Sequence, residues 1–210
     1  MTYCICHYQP DIETDVAVML LVSDNEVFKP SNTGRLILDT VKEGYAFQWS
    51  RTEPSKDMLD LLNDPRYQPI VVFPDEYVDD KQRLIQGEPQ PFCQGKTPLL
   101  IFFLMAVGVK QDVFFRKSPY LDSLPVLSIK PESLSQYMMR RSDNEQHLAT
   151  AEVACLVLKE MRQDVAALTL ANWFNAFKES YLLSKSRGKV DPQRPALKRF
   201  IEQQQNEKSV

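Results

Sequence analysis

The run Pro98-Leu99-Leu100-Ile101-Phe102-Phe103-Leu104 carries no charge and constrains the fold more than any other stretch. A strand with one wet face alternates apolar and polar residues. A strand apolar at every position must be covered on both faces. A second continuous apolar strand is predicted from Asp15 to Ser23, and a third from Pro69 to Pro74. Shorter strand signals fall at Tyr45 to Trp49 and at Leu124 to Ile129. Helical segments lie between them, so the pattern predicts an α/β fold, a mostly parallel sheet with helices on both faces.

The helices follow from caps and spacing. Pro30-Ser31-Asn32-Thr33-Gly34 is a turn feeding a helix toward Leu38 and Val41, with Ser31 or Asn32 as cap and Gly44 as stop. Amides exposed at such a start favour anions, and Arg35 adds charge; plain helix entry explains the same residues. Ser55 caps a short helix through Leu62. Asp75 to Gly95 reads as a surface excursion. Thr150 caps the helix opening Ala151-Glu152-Val153, with Glu152 in its positive first turn. The last helix spans Asp164 to Ser184, and Leu168, Leu170, Trp173, Phe174, Phe177 and Tyr181 form a core stripe on it. Residues 185–210 are charged and read as a flexible tail, which leaves 1–184 as the domain.

Composition excludes some classes. No apolar run approaches the length of a membrane span, and Met1-Thr2-Tyr3-Cys4 does not open a signal peptide. Four unevenly spaced cysteines make no secreted disulfide framework, so a cytoplasmic protein is expected. The net charge of -3 argues against indiscriminate nucleic-acid binding, and no DNA partner is expected. The charge is unevenly spread. Residues 1–90 hold 8 Lys and Arg against 16 Asp and Glu; residues 91–210 hold 17 against 12. Arg116-Lys117 and Arg140-Arg141 belong to the basic half, which fits either a solvated surface or a phosphate-rich partner. Cys4-Ile5-Cys6-His7 offers Cys4 and Cys6 as half of a zinc site, since structural zinc takes four ligands.

A central strand running into a turn and a helix is where open α/β sheets place ligands. Here that segment is Met105-Ala106-Val107-Gly108-Val109-Lys110-Gln111-Asp112-Val113, with one acid and no His, Cys or Trp. Its flanks are more telling. Pro30-Ser31-Asn32-Thr33-Gly34-Arg35-Leu36, Phe47-Gln48-Trp49-Ser50-Arg51-Thr52-Glu53-Pro54, Val72-Phe73-Pro74, Phe115 to Leu121 and Thr150 to Ala154 arrive in one order. Together these blocks closely resemble the DTW-domain family, the bacterial tRNA-uridine aminocarboxypropyltransferases. The likeness runs from Tyr3 to about Tyr181. It implies an α/β domain related to the knotted SPOUT methyltransferases. It also implies transfer of the 3-amino-3-carboxypropyl group of S-adenosylmethionine to N3 of a tRNA uridine.

Carried onto matching positions, the resemblance puts Thr33, Gly34, Leu124, Leu127 and Tyr137 at the cosubstrate, with Ser135 and Arg140 in a special segment beside it. Asn32, Arg35, Thr150 and Glu152 are further motif positions, although a helix cap explains Thr150 and Glu152 equally well. Arg116, Lys117, Arg140 and Arg141 are expected on tRNA phosphates. Two departures stand out. Family members carry two further cysteines ahead of the pair matched by Cys4 and Cys6, so zinc is expected only with a longer N-terminus. Stoichiometric zinc without one would point first to Cys93.

The second departure is the family's own D-x-T-W motif, which falls on residues 105–108. Met105 stands in place of the Asp, and Gly108 in place of the Trp. The codons suggest a cause. Read one base earlier, with permitted third bases, residues 105–113 spell Asp-Gly-Ser-Trp-Ser-Gln-Ala-Arg-Arg. A pair of compensating frameshifts, by sequencing error or mutation, accounts for this. The leading expectation is a transferase. The alternative is a catalytically impaired tRNA-binding member, and a third reading is an α/β domain whose role the resemblance misstates.

Overall fold

In the computed structural model the described residues are 3–23, 29–93, 95–104, 111–129, 150–185, 191 and 193–207. Five strands form one sheet: β1 (Ala17–Val22), β2 (Glu43–Gln48), β3 (Tyr67–Val72), β4 (Thr97–Leu104) and β5 (Val126–Leu127). Their order is β2-β1-β4-β3-β5, and every pairing is parallel. Ala17 lies opposite Leu99 and Val22 opposite Leu104, so the two most apolar runs are central neighbours. The expected α/β architecture is present.

Burial on both faces explains the uninterrupted apolar runs. Val18, Leu20 and Val22 of β1, Ile70 of β3 and Leu100 and Phe102 of β4 face one core. Met19, Leu21, Val71, Leu99, Ile101 and Phe103 face the other. The first core is covered by α1 (Arg35–Thr40), α4 (Thr150–Glu160) and α5 (Asp164–Ser184). The second is covered by α2 (Lys56–Leu62) and α3 (Gln111–Arg116). Phe73 anchors this side, stacking on Phe115 at 4.5 Å and meeting Phe103 edge-on at 5.7 Å.

Several local expectations change. Ser55 caps α2 as expected, its Oγ accepting from the Met58 amide at 3.2 Å. α1 instead begins behind Gly34, and Asn32 makes a side-chain turn by accepting from the Gly34 amide at 2.9 Å. Gly44 does not stop that helix; α1 ends at Thr40 and Gly44 lies inside β2. A Cβ there would sit 2.8 Å from Leu38 Cδ2, so the glycine allows α1 to lie against the strand. The strand expected from Leu124 to Ile129 shortens to Val126–Leu127.

The largest correction is at the C-terminus. The tail read as flexible contains α6 (Pro195–Glu207), docked on α5. Phe200 is fully buried, with its ring 5.1 Å from that of Trp173, and Leu197 is buried beside it. The Glu179 carboxylate on α5 accepts from the Ala196 and Leu197 amides at 3.0 and 3.1 Å. A carboxylate on unpaired first-turn amides also meets the positive end of the helix dipole. Arg194 adds a 2.6 Å bond to Ser180 Oγ. Truncating a core aromatic leaves a cavity as well as losing burial. Phe200→Ala is therefore expected to cost about 3–5 kcal/mol in urea denaturation. A loss under about 1 kcal/mol would mean that α6 is only loosely attached.

Candidate active site

Because the strands are all parallel, their carboxyl ends share one edge of the sheet. After β1 the chain moves outward to β2; after β4 it moves the other way, past β3 to β5. The point between β1 and β4 is thus the topological switch, where open α/β sheets bind ligands. Met105 and Gly108 follow β4 directly but lie outside the described residues, as do Ser135, Tyr137, Arg140 and Arg141. What the structure places is the frame around them.

The first part of the frame is the loop before α1. Thr33 Oγ1 accepts from the Ala151 amide, at the start of α4, at a long 3.5 Å. This brings Asn32, Thr33 and Gly34 against Thr150 and Glu152, which are separated from them by more than a hundred residues. Thr150 itself is already helical, so the amide next to it is met by Thr33 rather than by a Thr150 cap. The Arg35 guanidinium lies 5.2 Å from the Phe177 ring on α5.

The second part joins the end of β2 to the region after α3. The Trp49 indole donates to Ser118 Oγ at 2.8 Å, and that hydroxyl donates to the Phe114 carbonyl at 2.9 Å. Trp49 and Phe114 pack with ring centroids 4.1 Å apart, and Tyr120 OH donates to the Ser50 carbonyl at 3.2 Å. Ser118 is completely buried, with both of its hydrogen-bonding roles used. Arg116 and Lys117 remain exposed on the rim.

Leu124 and Leu127 do not present side chains to a common pocket. Leu124 packs on the Phe73–Phe115 side, and Leu127 is buried in the opposite core. Arg83, which sequence reasoning passed over as part of a surface excursion, holds this corner. Its guanidinium donates to the Leu121 and Leu124 carbonyls at 2.7 and 2.9 Å and lies 5.1 Å from the Phe115 ring. The planar fork of Arg suits two acceptors and an aromatic face at once. A lone Arg in a polar stretch gave no signal of this.

Cys4 and Cys6 are exposed and close enough to influence each other. Hydrogen bonds from the Cys6 amide and side chain hold the Cys4 thiol below its ordinary pKa, while the same contact raises that of Cys6. Cys93 is buried, and its thiol donates to the Pro89 carbonyl at 3.5 Å. Among the described residues no three His, Cys, Asp or Glu side chains are grouped to hold a metal, so two thiols alone do not fit a four-ligand zinc.

Asp39, on α1 behind this loop, is a titratable group altered by the fold. Burial raises its pKa, opposed by the 2.9 Å bond from Trp173 Nε1 and by Arg35. Above the ordinary 3.8 and below the raised value, the folded chain keeps a proton that the unfolded chain has lost. Its contribution is therefore present at low pH and falls as pH rises through that window.

A parallel sheet covered by helices on both faces, with its switch point between β1 and β4, defines an open α/β protein, a class that binds ligands at the carboxyl edge of the sheet. The family model for the DTW domain matches residues 1–182. The chain belongs to that family, the family of tRNA-uridine aminocarboxypropyltransferases. No solved structure matches it. Among the described residues, no helix is long and apolar enough to cross a membrane.

Two outcomes follow from this geometry. Asp39→Asn keeps an acceptor for Trp173 without a buried charge. It is expected to leave stability at pH 7 equal or higher and to flatten the decline that sets in as pH rises above 3.8, read by thermal melts across a pH series; a marked loss at pH 7 would show that the charge is needed. Ser118→Ala removes the shared partner of Trp49 and Phe114, and is expected to cost about 1–3 kcal/mol in urea denaturation. An unchanged midpoint would mean that neither group depends on the serine.

Proposed function

We propose that this chain is built as a tRNA-uridine aminocarboxypropyltransferase that uses S-adenosylmethionine as cosubstrate. The observation that carries the reading is the family match over residues 1–182, which spans the whole sheet and its frame. The meeting of Thr33 with Ala151 supports it, since two separated family blocks converge beside the switch point.

In the transfer, N3 of uridine attacks the carbon of the aminocarboxypropyl chain bound to the sulfonium. The C–S bond breaks, methylthioadenosine leaves, and the N3 proton passes to a base. A carboxylate at the D-x-T-W position suits that role. The loop containing Thr33 and Gly34 contributes to the cosubstrate site, and the backbone corner held by Arg83 forms its wall near β5. Arg116 and Lys117, with Arg140 and Arg141, meet tRNA phosphates.

A second reading rests on a specific observation. Met105 cannot accept a proton, and Gly108 offers no stacking surface. A chain that truly carries these residues is a catalytically impaired tRNA-binding member of the family. Rewriting residues 105–113 as Asp-Gly-Ser-Trp-Ser-Gln-Ala-Arg-Arg separates the two readings. The rewritten chain is expected to form aminocarboxypropyl-uridine in tRNA, detected by mass spectrometry of digested tRNA, and the unaltered chain to be far slower. Equal activity would show that the D-x-T-W position is dispensable. Failure of the rewritten chain to bind S-adenosylmethionine would remove the transferase reading.

A further inference from the structure

Arg51 belongs to the acidic half of the sequence, yet the fold sets it against the basic half. It follows Ser50, whose carbonyl accepts from Tyr120 OH at 3.2 Å. Two residues before Ser50's successor, Trp49 bonds Ser118 at 2.8 Å, and Arg116-Lys117 immediately precede that serine. Two bridges therefore fix the backbone carrying Arg51 alongside the backbone carrying Arg116 and Lys117. All three cations are exposed.

Two other features mark this place. Trp49, Phe114 and Tyr120 are half-buried beside the two backbones, packed against the core. Arg51 has no ion-pair partner among the described residues, whereas neighbouring Lys56 is paired with Asp60 and Arg66 with Asp64. Glu53 and Asp122 are the nearest acids in sequence, and both are exposed. Cations on a fixed backbone with aromatic surface beside them match what a single-stranded nucleic acid presents: phosphates along one side and unstacked bases along the other. The strip borders the carboxyl edge, where β2 ends and α3 leads away from β4.

We propose that Arg51 joins Arg116 and Lys117 in one RNA-contacting strip, which seats a single-stranded loop of tRNA beside the crevice. The proposal rests on the tRNA reading and adds to it a contact from a different part of the chain. Seating a loop, rather than a duplex, also suits chemistry on N3, an atom that base pairing covers in a helix.

Fluorescence anisotropy with an unmodified tRNA transcript over a range of salt concentrations tests it on the full chain. Arg51→Gln is expected to weaken binding about tenfold at 0.1 M salt and to lower the salt slope by about one. Arg51→Glu is expected to weaken it further, and the pair Arg116→Glu with Lys117→Glu to do the same. Lys198→Glu with Arg199→Glu, exposed on α6, serves as the comparison and is expected to change little. Thermal melts confirm that each variant folds, which exposed positions allow. If the unaltered chain does not bind tRNA, the functional reading falls and this proposal with it. If it binds and the Arg116/Lys117 pair matters while Arg51→Gln leaves affinity and slope unchanged, the functional reading stands and Arg51 is not in the strip. An equal loss from the α6 pair would show diffuse attraction, and would overturn a defined strip.

Discussion

The pairing of β1 with β4 is the interaction on which the rest depends. Both strands are covered on both faces, so neither can shift by one residue without moving a full set of apolar side chains into the wrong core. That register places Val22 beside Leu104 and fixes where the two strands end. The switch point exists because the chain departs from those two ends in opposite directions. Its position is a property of the sheet, settled before any polar residue contributes.

Polar groups then finish the edge by satisfying one another. Ser118 uses its hydroxyl as donor and acceptor in a place water does not reach. Arg83 answers two carbonyls in a turn that has no sheet partner for them. Glu179 does the same for the start of α6. Arg83 and Glu179 each satisfy backbone groups of another segment, where an unmet group would be costly.

The sheet was legible in the sequence because strands buried twice leave continuous apolar runs, as in Pro98 to Leu104. The frame was legible only as separate blocks. Nothing in Phe47 to Pro54 announces that Trp49 will bond Ser118, since that contact depends on how far α3 lies from β2 in space. α6 was misread because Lys198, Arg199 and Glu202 dominate its composition. Leu197, Phe200 and Ile201 nevertheless recur at helical spacing, and that was the available signal. Gly44 was misread for the opposite reason: a glycine after a helix looks like a stop, and here it serves a close approach within a strand. The site's chemistry was legible only through the family likeness, because the residues at 105 and 108 carry none of it.

The docking of α6 has a consequence for how the molecule is made. The family match ends at residue 182, but Phe200, beyond it, fills the core beside Trp173. During synthesis the sheet and α5 emerge first, and chains fold from the N-terminal side as they appear. The face of α5 around Trp173 therefore stays uncovered until the residues of α6 have emerged. For that interval a nascent chain with a complete family domain still displays core surface, and the arrival of α6 is what seals it.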